Sequence, residues 1–164
     1  MINVFVICTG NSCRSVLGEA LFNHFGSGRI QAFSAGSHPK GRIKPKTLAT
    51  LQRHGLPTQA LKSQSWDEFE DQPMDIVITV CDNVASETCP VYLNNAIRVH
   101  WGLAEPNHFE NTESEIVAAL EKTYWILKQR INKMLALPLE SMSPEELTNK
   151  LNSITEGTSS PAEG

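Results

Sequence analysis

The feature that most constrains this chain is its first element together with the loop that follows. Ile2-Asn3-Val4-Phe5-Val6-Ile7-Cys8 is a nearly unbroken apolar, β-branched run, the pattern of a strand buried on both faces of a sheet. Thr9-Gly10-Asn11-Ser12 then turns polar. Val16, Leu17, Ala20, Leu21 and Phe25 follow on one helical stripe, with Gly26 placed to stop it. A doubly buried strand feeding a helix through a short polar loop is the opening of a βαβ unit, which commits the chain to a parallel sheet.

The alternation continues. Residues 29–34 read as a second strand ending at Ala35-Gly36, and Pro45 opens a helix carried by Leu48 and Leu51 and closed by Gly55. Residues 75–81 and 96–101 read as third and fourth strands. Ile116, Leu120, Tyr124, Leu127, Ile131 and Met134 mark a long amphipathic helix over residues 113–137. Ser143-Pro144-Glu145-Glu146 has the capping-box form, so a last helix starts there, docked by Leu147, Leu151 and Ile154. The expectation is one α/β domain over residues 1–155, a doubly wound four-stranded parallel sheet with helices on both faces, and a disordered tail over residues 156–164.

Composition removes several function classes. The 164 residues carry a net charge of −4, against a general nucleic-acid binder. No apolar stretch reaches the roughly 18 residues of a membrane span, and Met1-Ile2-Asn3-Val4 lacks the positive region of a secretory signal. The chain is therefore expected in the cytoplasm, where its four cysteines would be reduced, catalytic or metal-bound thiols. His24, His38, His54, His100 and His108 show no ligand spacing, so no metal site is expected from them.

In a parallel sheet, ligands bind beyond the carboxyl ends of the strands. Cys8 ends the first predicted strand, Ser34 the second and Cys81 the third, and Glu105 follows the fourth. Within Cys8-Thr9-Gly10-Asn11-Ser12-Cys13-Arg14-Ser15, the polar loop at a helix N-terminus directs the backbone N–H groups of Thr9, Gly10, Asn11, Ser12 and Cys13 toward one point, an anion nest. The same field stabilises a thiolate at Cys8. Arg14, in the first helical turn, offers a planar fork to two oxygens of a tetrahedral oxyanion. The Ser15 hydroxyl is placed to hydrogen-bond the Cys8 sulfur, and Cys13 is expected to face helix–sheet packing.

These residues resemble the phosphate loop of low-molecular-weight protein tyrosine phosphatases and of the arsenate reductases built on their fold. The resemblance extends through Ser34-Ala35-Gly36, residues 75–81, Cys89-Pro90 and His100-Trp101-Gly102, covering about residues 2–135. It implies Cys8 as nucleophile with Arg14 and Ser15 beside it. It also implies, for the thioredoxin-linked reductases, two redox thiols at Cys81 and at Cys89, which precedes Pro90. Seven residues separate them, one more than the family spacing most similar. Glu105-Pro106 occupies the place of the phosphatase Asp-Pro acid, one methylene longer, a change to which general-acid geometry is sensitive.

The resemblance thus implies arsenate reduction, with no tightly bound cofactor and with thioredoxin or glutathione and glutaredoxin as the external thiol reductant. Two readings stay open beside it. One is a phosphotyrosine phosphatase working through a phosphocysteine. The other is a non-enzymatic oxyanion-binding or thiol-sensing module. Some relatives hold potassium beside the loop through Asn, Glu, Ser and Asp; Asn11, Glu19 and Ser34 match three of these, with Gln64 at the Asp position. By the residues alone, Asn11 orders the loop and Glu19 is a helix-face charge with a local partner.

Overall fold

A computed structural model describes residues 1–81, 89–103 and 112–157. The described elements run β1 (Ile2–Cys8), α1 (Arg14–Phe25), β2 (Ile30–Gly36), α2 (Pro45–Arg53), β3 (Ile76–Thr79), β4 (Ile97–His100), α3 (Glu113–Leu135) and α4 (Pro144–Ser153). The four strands form one all-parallel sheet in the order β2-β1-β3-β4. This is the doubly wound α/β arrangement expected from the alternation.

Successive residues of β1 serve opposite faces. Toward α1, Gly18 lies so close to the strand that a Cβ there would meet Val6 Cγ1 at 2.9 Å. On the other face the ring of Phe5 meets Phe69 at 5.0 Å, in a 3-10 turn over Trp66–Phe69 that also covers Phe33. Val4, Phe5, Val6 and Ile7 are fully or almost fully buried, as a strand covered on both sides requires.

Several boundaries differ from the sequence expectation. The second strand starts at Ile30 and runs past Ser34 to Gly36, paired with Cys8, and the fourth is shortened to Ile97–His100. The third strand stops at Thr79; Val80 N–H still donates to Ile7 O, and Cys81 turns out of the ladder. The long helix stops at Leu135, where Arg29 donates to the carbonyls of Leu135 and Leu137 and pairs with Glu140, satisfying carbonyls that a further helical turn would have used.

The C-terminal helix behaves as read. Ser143 and Glu146 form a reciprocal capping box, Pro144 opens the first turn, and Leu147, Leu151 and Ile154 are buried. Trp101 stacks on Phe22 and donates Nε1–H to Leu151 O, tying α4 to β4. A 3-10 turn, Ile154–Gly157, follows; the remainder of the expected tail, residues 158–164, lies outside the described residues. Among the described residues no helix is long and apolar enough to cross a membrane.

Candidate active site

Cys8 is the last residue of β1, and Arg14 is the first of α1. The five residues between them reverse the chain through Asn11, fully buried and held at φ 46°, a left-handed geometry that Asn tolerates better than most side chains. Asn11 Oδ1 accepts from Gln64 N–H at 2.8 Å, which settles the orientation of the amide. Its Nδ2 group therefore donates to Ser15 Oγ at 2.8 Å and to Ser34 Oγ at 3.0 Å.

That orientation decides the polarity at the nucleophile. Ser15 Oγ, accepting from Asn11, keeps its own proton for Cys8 Sγ, 2.9 Å away. Asn11 N–H donates to the same sulfur at 3.3 Å. Two hydrogen-bond donors thus converge on the sulfur of Cys8, a residue only 3% exposed. Helix α1 has no side-chain cap and no acid in its first turn, so its N-terminal dipole faces the loop uncompensated.

The connection from β2 to α2 straps the other side of the loop. Backbone N–H groups of His38, Lys40 and Lys44 donate to the carbonyls of Thr9, Gly10 and Ser12. These three hydrogen bonds engage the outward carbonyls of the loop and fix its backbone. Gly36 makes the approach possible, since a Cβ there would lie 2.4 Å from Thr9 O. The open cavity that results, about 200 Å³, is lined by Cys8, Thr9, Gly10, Ser12, Cys13, Arg14, His38 and Lys40. Sequence reasoning did not single out His38 and Lys40. Their signal was position, in the connection leaving the carboxyl end of a strand.

Arg14 Nη1 donates to Leu103 O at 2.9 Å. The segment bearing that carbonyl is itself held by Arg130, buried on α3, which donates to Trp101 O and Gly102 O. The guanidinium plane is thus set from the sheet side. Cys81, at the end of β3, comes to the opposite side of the loop, where Thr9 N–H donates to its sulfur at 3.3 Å and Thr9 Oγ1 lies 3.4 Å away. All four cysteines are free thiols.

Not every expected site residue is brought to this cavity. Cys89 is buried ahead of the 3-10 turn Val91–Leu93, and residues 82–88, which connect it to Cys81, lie outside the described residues. So does Glu105, within residues 104–111. The Cys13 side chain is buried in the hydrophobic core. It lines a second cavity with Pro45 and Thr47 of α2 and Ile116 and Leu120 of α3, and burial pushes its thiol up to about 11. Cys13 is the residue that joins the loop to the helix, so its thiol falls on the helix–helix side.

Glu19 also departs from the expectation of a helix-face charge. Burial raises its carboxyl to about 7, against the opposing hydrogen bond from Ser34 Oγ at 2.6 Å. Glu19, Ser34, Asn11 and Ser15 form one hydrogen-bonded line ending at Cys8.

The family profile described as low molecular weight phosphotyrosine protein phosphatase matches residues 3–150. The chain belongs to that family. Among its phosphatase-family relatives, the arsenate reductase of Halalkalibacterium halodurans is 30% identical over 128 residues, covering 78% of this chain and 91% of its own. A solved arsenate reductase in the phosphate binding state is 23% identical with a TM-score of 0.68, covering 83% of this chain and 98% of that one, a likeness that speaks for the fold. The thioredoxin-dependent arsenate reductase of Corynebacterium glutamicum is 25% identical with a TM-score of 0.60, covering 84% of this chain and 64% of that one.

Asn11, Glu19, Ser34 and Gln64, the residues matched above to a potassium site, do assemble here. Asn11 Oδ1 and Ser34 Oγ are already engaged by protein donors, and Gln64, an amide, replaces the acid while donating to Ser34 O. Among the described residues no group of three or more His, Cys, Asp or Glu side chains is disposed to hold a metal ion.

Proposed function

We propose that this chain is an arsenate reductase working through Cys8, Cys81 and Cys89. The observation that carries the reading is the second thiol on the loop: Cys81 Sγ accepts from the backbone N–H of the residue next to Cys8. A hydrolytic phosphatase needs one cysteine there, whereas a reductase needs a resolving thiolate beside the first.

Arsenate, tetrahedral and anionic like phosphate, enters the nest of loop N–H groups and is oriented by the Arg14 fork. Cys8 thiolate attacks arsenic(V) and displaces a protonated oxygen as water, giving a thiol–arsenate adduct. Cys81 thiolate then attacks the Cys8 sulfur. The S–As bond breaks with its electron pair on arsenic, so arsenite leaves and a Cys8–Cys81 disulfide remains. Thr9 N–H, donating to Cys81 Sγ, holds that sulfur against the loop for the attack. Cys89 next attacks Cys81, freeing Cys8 and moving the disulfide outward to a dithiol reductant of the thioredoxin type, or to glutathione with glutaredoxin. This chemistry belongs in the reducing cytoplasm, where we place the chain. Glu105 is the proton donor in the second reading, phosphotyrosine hydrolysis, which the family match keeps in view.

The deciding experiment supplies purified protein with arsenate and either thioredoxin with its reductase or glutathione with glutaredoxin. Catalytic arsenite formation with one of them is expected. Aryl phosphate hydrolysis without arsenite formation would select the phosphatase.

A further inference from the structure

The charges inside the cavity do not balance the substrate it is built for. Cys8 as a thiolate offsets Arg14, leaving loop N–H groups and the α1 dipole to face an anion that is largely doubly charged at neutral pH. Nucleophilic attack by a thiolate on such an anion calls for further positive charge. One more basic residue, Lys40, lines the cavity. The Lys40 stem lies across Gly10, where a Cβ would meet its Cε at 3.3 Å, its Cγ at 3.4 Å and its Cδ at 3.6 Å. Its backbone is pinned to the loop through Gly10 O, and the residue lines the cavity beside Arg14 and His38. Lys46, in the first turn of α2, pairs with Glu113; among the described residues no carboxylate pairs with Lys40.

We propose that Lys40 is a substrate-binding residue of the oxyanion cavity, supplying its second cation and, through the stem laid over Gly10, setting the size of anion that enters. The assignment rests on the oxyanion reading of the cavity. Gly10 is part of the same device, since a Cβ there would press on the stem at 3.3 Å and shift it by a few tenths of an ångström. The charge selects inorganic oxyanions over neutral thiol reagents, and the stem disfavours a phosphate carrying an aryl group.

The test measures binding of inorganic phosphate to the full reduced chain, at low and at high salt, for wild type and for Lys40→Met, Lys40→Arg and Lys40→Ala. Lys40→Met keeps the stem and loses the charge. It is expected to weaken phosphate binding about tenfold at low salt and distinctly less at high salt, because an exposed charge is screened. Lys40→Arg keeps the charge and is expected to retain most of the affinity. Lys40→Ala removes the stem too, and should bind phenyl phosphate better relative to inorganic phosphate than Lys40→Met does. In arsenate reduction, Lys40→Met should lower kcat/KM for arsenate in parallel with the loss of phosphate affinity, and Lys40→Arg should restore most of it. Phosphate binding by Lys40→Met within about twofold of wild type at low salt would overturn the charge assignment. Equal aryl selectivity in the Met and Ala variants would overturn the role of the stem. A wild-type chain that binds no phosphate overturns the oxyanion reading itself, which separates the two failures.

Discussion

Thr9 N–H donates to Cys81 Sγ at 3.3 Å, joining the residue after the nucleophile to the thiol at the end of β3. Parallel pairing of β1 with β3 produces this meeting. Ile7 stands opposite Thr79, so both strands reach their carboxyl ends at one level and their next polar residues fall on one rim. The contact separates a relay from a single-cysteine enzyme. Cys81→Ser is expected to bind phosphate normally and release no arsenite under conditions where wild type turns over. Cys89→Ser is expected to yield about one arsenite per chain and to stop as a Cys8–Cys81 disulfide, visible by mass mapping of non-reduced peptides. Sustained turnover in both variants with the same reductant would refute the relay.

Arg14→Lys keeps the charge and loses the planar fork that the Leu103 carbonyl orients. The expected cost is about 10²–10³ in kcat/KM for arsenate, with phosphate affinity reduced in parallel. Steady-state kinetics and calorimetry check it. Rates near wild type would mean that the helix terminus alone holds the oxyanion.

Gly36→Ala should act on the loop rather than on the core. The added methyl would lie 2.4 Å from Thr9 O and 3.1 Å from Asn11, both backbone-anchored parts of the loop. The strap must move away, taking His38 and Lys40 with it. Phosphate affinity should drop about tenfold or more, while circular dichroism retains the native helix content. Unchanged binding would show that the strap does not shape the cavity.

Glu19 gives the chain a stability that depends on pH. Its folded carboxyl titrates near 7 because of burial, above the usual carboxylate value of 4.5. Between those two values the native state holds a proton that the unfolded chain has lost, so stability falls as pH rises through the window and levels off above it. Glu19→Gln keeps an acceptor for Ser34 Oγ and removes the charge. It should flatten this part of the stability–pH curve and be more stable than wild type at pH 8, by on the order of 2 kcal/mol. Urea unfolding at pH 5, 6, 7 and 8 measures both. A parallel pair of curves for wild type and variant would exclude Glu19 as the source.

The alternation of apolar strands and amphipathic helices was readable from local pattern, because a doubly buried strand and a one-sided helix carry different periodicities. So were the capping box at Ser143, Pro144 in the first turn of α4, and the Cys8–Arg14 loop at a strand-to-helix junction. Each depends on neighbours within a few residues. The sequence also pointed to Ser15 beside the Cys8 sulfur, since an anion loop of fixed length brings the first helical turn back over its own start.

Tertiary structure decided what depends on which strands sit side by side. The order β2-β1-β3-β4 put Cys81 against Thr9, and it laid the connection after β2 along the loop, adding His38 and Lys40 to the cavity. Glu19 and Cys13 changed character for the same reason. Read along the chain, one is a helix-face acid and the other a thiol facing helix–sheet packing; in the fold, Ser34 of β2 meets the first, and residues of α2 and α3 line a cavity with the second. Burial and the partners it brings set the protonation of such groups, and both come from residues far away in the sequence.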